Sequence, residues 1–449
     1  MSGRDRSASP GGACLDCSAG AHPDLEWACS GAMALTGLPE GPPLFAPAPL
    51  ASRTRELVRA LARLAGTSAL RDLDGAALLG EHAAAFGYVR RGRLSPGGTC
   101  RLLRAADRWI ALNLAREDDV ALLPAWLGEG DTRDPWAFVA TRVAYREAEE
   151  VVARARLLGL PAAVAIEPEP VAPPWLRIAA RGRATRPRTP ATRPLVVDLS
   201  SLWAGPLCGH LLLLAGARVL KVESTGRPDG ARAGAPAFFH LLNAGKESVA
   251  LDLRVEQGRA ALGRLLERAD IVIEASRPRA LAQLGVDAEA LVASRPGITW
   301  VSLTGYGRRE PEAHWVAFGD DAAVAAGLAV AMGSKDAPLF CGDAIADPLS
   351  GVHAAVAAFE AWRAGGGLLL DISLRDVVAH ALALPMPTER ATLVRRDTGW
   401  EAALGDQRAF VSPPRSRALA GRARELGADT RGVLEELSGI RRPDAPPAG

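Results

Sequence analysis

Two acid pairs lie where carboxylate chemistry could be done. FGDDAAVAAGL (318–328) puts Asp320 and Asp321 at the start of an apolar helical run, and CGDAIADP (341–348) adds Asp343 and Asp347. A carboxylate at a helix N-terminus is stabilised in its ionised form. In that form it can attack a carbonyl carbon or take a proton. The stretch is also one copy of an internal repeat. WACSGAMALTGLPEGPPLF (27–45) parallels AVAAGLAVAMGSKDAPLF (323–340), with Gly31 matching Gly327 and Pro43-Leu44-Phe45 matching Pro338-Leu339-Phe340. Asp24 precedes Gly31 at the spacing by which Asp320 precedes Gly327, but the first copy runs on as APAPLASR (46–53) without an acid. If acids at the later places do work, only the second copy can do it, and Asp24 is a weaker third candidate after Asp320 and Asp321.

The elements that must position these acids begin late in the chain. LVVDLSSLWAGPLCGHLLLLAGARVLKVE (195–223) reads as strand, turn, apolar helix and strand, the opening of a nucleotide-binding α/β unit. Strands are expected at Val249–Leu253, Ile271–Glu274 and Thr299–Leu303, with helices over 255–268 and 286–294. That alternation predicts an α/β fold with a mostly parallel, Rossmann-like sheet. No GxGxxG or GxxxxGK[ST] occurs, so dinucleotide and P-loop readings have no motif support.

Before residue 195 the pattern differs. Helices are expected over 53–65, 71–86 and 136–158, a loop over 92–99, and a hairpin around Asp107-Arg108. This part reads as a smaller α+β domain. The boundaries expected are a disordered tail over 1–23, the repeat copy and small domain over 24–170, an Arg/Pro-rich linker over 171–194, a large domain over 195–388 and a C-terminal segment over 389–449 that packs on the large domain.

Composition narrows the classes. The chain has 449 residues, 48% apolar, with a net charge of +2. Neither nucleic acid nor a membrane surface is suggested as a partner, and no apolar run approaches the roughly 20 residues of a membrane span. No apolar leader is present and six scattered cysteines make no disulfide framework, so a cytoplasmic location is expected. Cys14 and Cys17 form a CxxC near His22 and Cys29, an irregular set for zinc, and no metal is expected. Lys221, Lys246 and Lys335 are the only lysines in an arginine-rich chain, which makes each of them conspicuous.

The second half resembles the family III CoA-transferases, the group of formyl-CoA, carnitine and bile-acid CoA-transferases and α-methylacyl-CoA racemases. LWAGPLCGHLLLLAGARVLKVE (202–223), FFHLLNAGKESVALDL (238–253), ADIVIEASRPRALAQLGV (269–286), ITWVSLTGYG (298–307), FGDDAAVAAGL (318–328) and LLLDISLRDVV (368–378) follow in family order. The first half resembles the family's later portion, notably in SPGGTCRLLRAADRWIALNLA (95–115), so the architecture looks re-ordered and partly duplicated.

The resemblance implies a CoA-transferase that moves CoA from an acyl-CoA thioester to a carboxylic acid, through an aspartyl anhydride and an aspartyl-CoA thioester. It implies Asp320 as nucleophile with Asp321 as alternate, since one residue is missing between the acid and the helix glycine. Trp203, Ala204, Gly205, Pro206, Lys221, Asn243, Lys246 and Arg277 fall at positions implied to face coenzyme A. Gly97 and Gly98 fall in a glycine loop implied to cover the reacting acid. The implied partners are acyl-CoA and a carboxylic acid, and the implied assembly is a homodimer. Two other readings stand beside it. One is an α-methylacyl-CoA racemase or isomerase, with His314 pairing with Asp320 as acid and base. The other is a non-catalytic CoA-binding protein.

Overall fold

A computed structural model describes residues 21–189 and 191–437. The CxxC of Cys14 and Cys17 lies outside the described residues. Three sheets organise the chain. The first is antiparallel, β1 (Cys100–Arg104), β2 (Trp109–Asn113) and β3 (Ala162–Val164). The second is seven-stranded, built from β4 (Leu176–Arg181), β5 (Leu195–Asp198), β6 (Arg218–Ser224), β7 (Glu247–Leu251), β8 (Ile271–Glu274), β9 (Thr299–Thr304) and β10 (Leu368–Ser373). Its order is β4-β10-β9-β8-β5-β6-β7. Every neighbouring pair is parallel except β4 with β10. The third is a small meander, β11 (Thr392–Arg396), β12 (Gly399–Leu404) and β13 (Gln407–Phe410).

The large sheet is the expected α/β sheet, and its strand order carries the functional consequence. The chain leaves β5 in one direction through β6 and β7, then returns to the other side of β5 at β8 and continues through β9 and β10. The crevice between the carboxyl ends of β5 and β8 is therefore a topological switch point, where open α/β sheets bind ligands. The central strands β5, β6, β8 and β9 are buried almost throughout, as a doubly covered parallel sheet requires.

The repeat is visible in three dimensions. Pro23–Cys29 and Gly319–Ala325 are seven-residue helices with the acid, Asp24 or Asp320, at the second position. Gly31 and Gly327 both take the left-handed conformation, φ +85° and +92°, that the chain needs as it leaves each helix. Each copy then leads to a long helix, Leu50–Ala65 and Ala346–Arg363. Leu50, Leu57, Val58 and Leu61 line one face of the first, which stops at Gly66 (φ +73°). Both long helices share a core with helix Ala204–Leu214 on one face of the large sheet, with Leu61, Leu211 and Leu349 fully buried. Residues 23–65 thus belong to the same core as the large sheet, and the boundary expected at 170 does not separate two cores.

Three local expectations differ. The helix expected over 136–158 is two helices, Pro135–Val143 and Ala148–Leu157. The hairpin turn between β1 and β2 is bound at the break, where Asp107 accepts from the Ala148 amide at 2.9 Å and the Ala106 amide donates to Arg146 at 2.9 Å. The helix over 71–86 is a 3-10 turn, Gly75–Leu79, followed by helix Glu81–Phe86. The stretch read as a linker contains β4, and beyond it the Gly182, Thr185 and Arg188 amides bond to Gly367, Gly365 and Arg363 at 2.9 Å each. The C-terminal segment divides its packing. Ser412 and Arg415 bond to Ala28 and Cys29 of the first repeat helix, and helix Thr430–Leu437 packs beside β7 and helix Glu256–Arg268 on the large sheet.

Candidate functional site

Lys246 fixes the first βα turn from below. Its buried ammonium donates to Asp198 at the end of β5 and to the Pro206 carbonyl in the first turn of helix Ala204–Leu214, both at 2.8 Å. Lys221 is likewise buried and donates to Asp229 at 2.7 Å and to the Ser200 carbonyl. Both lysines expected to meet coenzyme A are therefore engaged with internal partners. They shape the loop 199–203 rather than face solvent. Asn243 is buried too, its amide donating to the Phe239 carbonyl at 3.1 Å.

Trp203, Ala204, Gly205 and Pro206 sit at the switch point as expected. A Cβ on Gly205 would meet Ser200 at 2.1 Å and Ala275, just past β8, at 3.5 Å, so the two crevice loops touch only because this residue is glycine. Arg277 follows β8 and lines a cavity of about 550 Å³ with Arg116 and Arg156 from the first half and Arg227, Arg279 and His314 from the second. Burial and the neighbouring arginines Arg279, Arg116 and Arg227 pull the Arg277 pKa down from its ordinary value. Asp118 and Asp119 also line it, but the five arginines leave the cavity net cationic, suited to a polyanion.

The carboxylates form a second cluster, with four acids and three different degrees of engagement. Asp321 is fully buried and accepts from the Phe318 amide at 2.9 Å and the Asn113 amide at 3.4 Å. Asp320 is buried, accepts from the Ala344 amide at 2.9 Å, and is pushed well above the carboxylate range by burial and then by Asp343. Asp343 is buried and bonds His82 Nδ1 at 2.7 Å. Asp347 alone of the four is half-buried rather than buried. It lies in the first turn of the 18-residue helix Ala346–Arg363. Burial pushes it up to about 7, against the opposing pull of His82 and the backbone amides of Ala204 and Gly319. A Cβ on Gly319 would lie 2.3 Å from the Asp347 Oδ2, so glycine there is a condition of the cradle. Gly351 lets that helix cross the Ala204 turn closely, since a Cβ there would meet the Ala204 carbonyl at 2.6 Å.

The glycine loop lies against Tyr88 and Arg91. Gly98 takes φ +82°, and its amide donates to the Ser95 carbonyl at 2.8 Å. A Cβ on Gly97 would lie 3.2 Å from the Tyr88 ring, and the Tyr88 hydroxyl pKa is raised by burial and by Asp343. Cys100, at the foot of the loop, is raised well above its ordinary value by burial and by Asp320 and Asp321. First-half residues therefore reach the second-half acids. His314 is exposed, bonds Glu310 at 3.1 Å and lines the arginine cavity, whereas the histidine that meets the acids is His82.

Asp24, the weaker third, is neutralised where it stands. Arg390 binds it through two nitrogens at 2.8 and 2.9 Å, and the Ala391 amide adds a third bond at 2.9 Å. Asp343 and Asp347 carried a sequence signal, the acids present in only one repeat copy, but nothing in the sequence ranked them above Asp320. His82 carried none.

Three raised carboxylates make a sign-definite prediction. An acid raised in the folded state holds protons that the unfolded chain has already shed. Between about 4 and about 7 these three acids therefore bind more protons in the native state, and their contribution to stability falls as pH rises, while His210, His353 and His380, held below their ordinary value by burial, pull the other way. The melting temperature of Asp320→Asn should therefore rise relative to that of wild type across the interval. Thermal unfolding of both proteins across the interval checks this, and parallel curves would contradict it.

Residues 194–406 match CoA-transferase family III. The chain is 31% identical over 227 residues to a succinyl-CoA–D-citramalate CoA-transferase of Chloroflexus aurantiacus, an overlap of 48% of this chain and 56% of that one. It is 32% identical over 206 residues to a succinate–glutarate CoA-transferase of Agrobacterium fabrum, covering 42% and 52%. A CaiB/BaiF family protein from Brucella suis is similar at 28% identity and a TM-score of 0.40, covering 46% and 64%. The chain spans about half the length of the curated relatives it matches. Among the described residues no helix is long and apolar enough to cross a membrane, and no group of three or more His, Cys, Asp or Glu is arranged to hold a metal ion.

Proposed function

The chain belongs to CoA-transferase family III through residues 194–406, and from that premise we propose that it moves CoA from an acyl-CoA thioester to a free carboxylic acid, with Asp347 as the attacking carboxylate. The observation that carries the choice of acid is access. Asp347 is the one member of the cluster that is half-buried rather than buried, at the start of a long helix and beside the Ala204 turn. Asp320 and Asp321 are more deeply enclosed, and burial together with the neighbouring Asp343 charge keeps Asp347 from being too weak a base.

In this reading the Asp347 oxygen attacks the thioester carbonyl carbon, the C–S bond breaks, and the electron pair leaves on the CoA sulfur. The acyl group is then a mixed anhydride with Asp347. Attack by the CoA sulfur on the aspartyl carbonyl releases the first carboxylate and leaves an aspartyl-CoA thioester. The acceptor carboxylate repeats the sequence in reverse, so each step exchanges bonds of similar energy. The amides of Ala204 and Gly319 are placed for the oxyanions that form at the Asp347 carboxyl. The arginine cavity, which includes Arg277, takes the phosphates of the nucleotide end. Gly97 and Gly98 shield the anhydride from water. His82, Gly97, Gly98 and Asn113 come from the first half and Asp347 from the second, so one copy supplies all of these groups even within the homodimer the resemblance implies.

The test is a donor–acceptor matrix. Acyl-CoA thioesters of short dicarboxylic and monocarboxylic acids are mixed with labelled free acids, and labelled acyl-CoA is measured by mass spectrometry. Exchange of label supports transfer. Binding of CoA with no exchange in any pair would leave a non-catalytic CoA-binding protein. Deuterium uptake at Cα of a 2-methylacyl-CoA without an acceptor acid would favour the racemase reading, for which a histidine among carboxylates supplies an acid–base pair.

A further inference from the structure

We propose that His82, held by Asp343, receives the sulfur of coenzyme A when it is expelled and returns it to the anhydride; the inference rests on the transferase reading above. Helix Glu81–Phe86 carries His82 from the first half into the crevice of the second. Its Nδ1 lies 2.7 Å from Asp343 Oδ2, a bond that fixes the tautomer and the ring plane. Among the described residues Nε2 has no hydrogen-bond partner. The ring is half-buried and lies in an aromatic box. It stacks on Trp203 at 4.9 Å between centroids, and Phe86, Phe238 and Tyr88 lie at 4.7, 4.6 and 5.7 Å.

The chain of contacts places this imidazole beside the reacting atoms. Trp203 immediately precedes Ala204, whose amide acts on Asp347, and the charge of His82 itself favours the ionised Asp347. An apolar box around one free nitrogen suits a thiol end better than a carboxylate or a phosphate. The groups facing the ring are Asp343 and Asp347 from the segment that starts helix Ala346–Arg363, and Tyr88 from its own segment. Its neighbour Glu81 is turned to Arg417, 3.4 Å away.

The step balances without an outside reagent. As the thioester C–S bond breaks, the imidazolium Nε2–H donates to the departing sulfur and transfers its proton, giving the thiol and neutral imidazole. When the sulfur attacks the aspartyl carbonyl, Nε2 takes that proton back. Asp343 remains a carboxylate throughout and stabilises the charged ring. His82 is thus a catalytic residue for sulfur transfer, and Asp343 is its positioning residue.

The experiment compares wild type, His82→Ala and His82→Gln in the full chain, with folding checked by circular dichroism. Transfer by His82→Ala should fall about 10²-fold in kcat, within the usual range for a proton-transferring side chain, with little change in KM for acyl-CoA. Added imidazole should restore part of the rate to His82→Ala, a response that a purely structural role would not give. His82→Gln keeps the bulk of the side chain and should be as slow as His82→Ala. A wild-type rate in His82→Gln, or a loss in His82→Ala that imidazole does not touch, would overturn the inference. Hydroxylamine trapping of wild type separates this from the underlying reading. If wild type traps at Asp347 while His82→Gln is fully active, only the role of His82 fails. If wild type traps at no aspartate, the transferase reading fails and this inference fails with it.

Discussion

Asp347→Asn should abolish transfer, lowering kcat by roughly 10³-fold or more, because an amide cannot form the anhydride on which covalent transfer depends. The variant should keep its fold and its affinity for CoA, since the asparagine can still accept from the amides that cradle the site. Asp320→Asn and Asp321→Asn should retain transfer, their acids being enclosed and hydrogen-bonded to Ala344, Phe318 and Asn113. The wild-type pH profile follows from the same group. With Asp347 raised to about 7, the ionised nucleophile is depleted below that value, and kcat should rise as pH climbs through it. Steady-state kinetics of the three variants across pH decides the matter. An active Asp347→Asn beside a dead Asp320→Asn would return the nucleophile to the position that the resemblance implies.

The second large effect is on stability. Lys246→Met should cost about 3–5 kcal/mol, because it leaves the Asp198 carboxylate buried without its ion-pair partner. The Pro206 carbonyl loses its donor in the same change. Asp198→Asn combined with Lys246→Met should recover a large part of the loss by removing the stranded charge, even though Asp198 also accepts from the Ser200 amide at 3.0 Å. Urea unfolding of the single and double variants measures both terms. A single variant as stable as wild type would mean that Lys246 does not hold the turn and would reopen a role for it at a ligand phosphate.

Those lysines show where the sequence stops informing. Their rarity pointed to importance, which is sound. Their partners decide what the importance is, and Asp198 stands 48 positions from Lys246. The β5 unit was legible because short apolar runs flank a turn with Gly205 and Pro206, and periodicity is a local property. The hairpin at Asp107-Arg108 was legible for the same reason. The break of the helix over 136–158 was not, because the hairpin that causes it comes from another part of the chain. β4 was hidden in a stretch whose arginines and prolines read as solvated, although Leu176, Ile178 and Ala180 alternate within it.

The candidate site divides along the same line. Asp320 and Asp321 were found through a motif, and the switch-point residues through their order in the chain. Asp343 and Asp347 were found as acids without a role, through comparison of the two repeat copies. Only three-dimensional access separates Asp347 from Asp320, and no spacing encodes access. His82 and Asp343 meet across 261 positions, a pairing that no local pattern encodes.

Covalent trapping decides whether Asp347 carries the transferred group. The protein is incubated with acyl-CoA and no acceptor, treated with hydroxylamine or borohydride, digested, and mapped by mass spectrometry. An aspartyl hydroxamate, or the reduced side chain, is expected at Asp347 alone and should be absent from Asp347→Asn. Modification at Asp320 or Asp321 with Asp347 untouched would contradict that assignment.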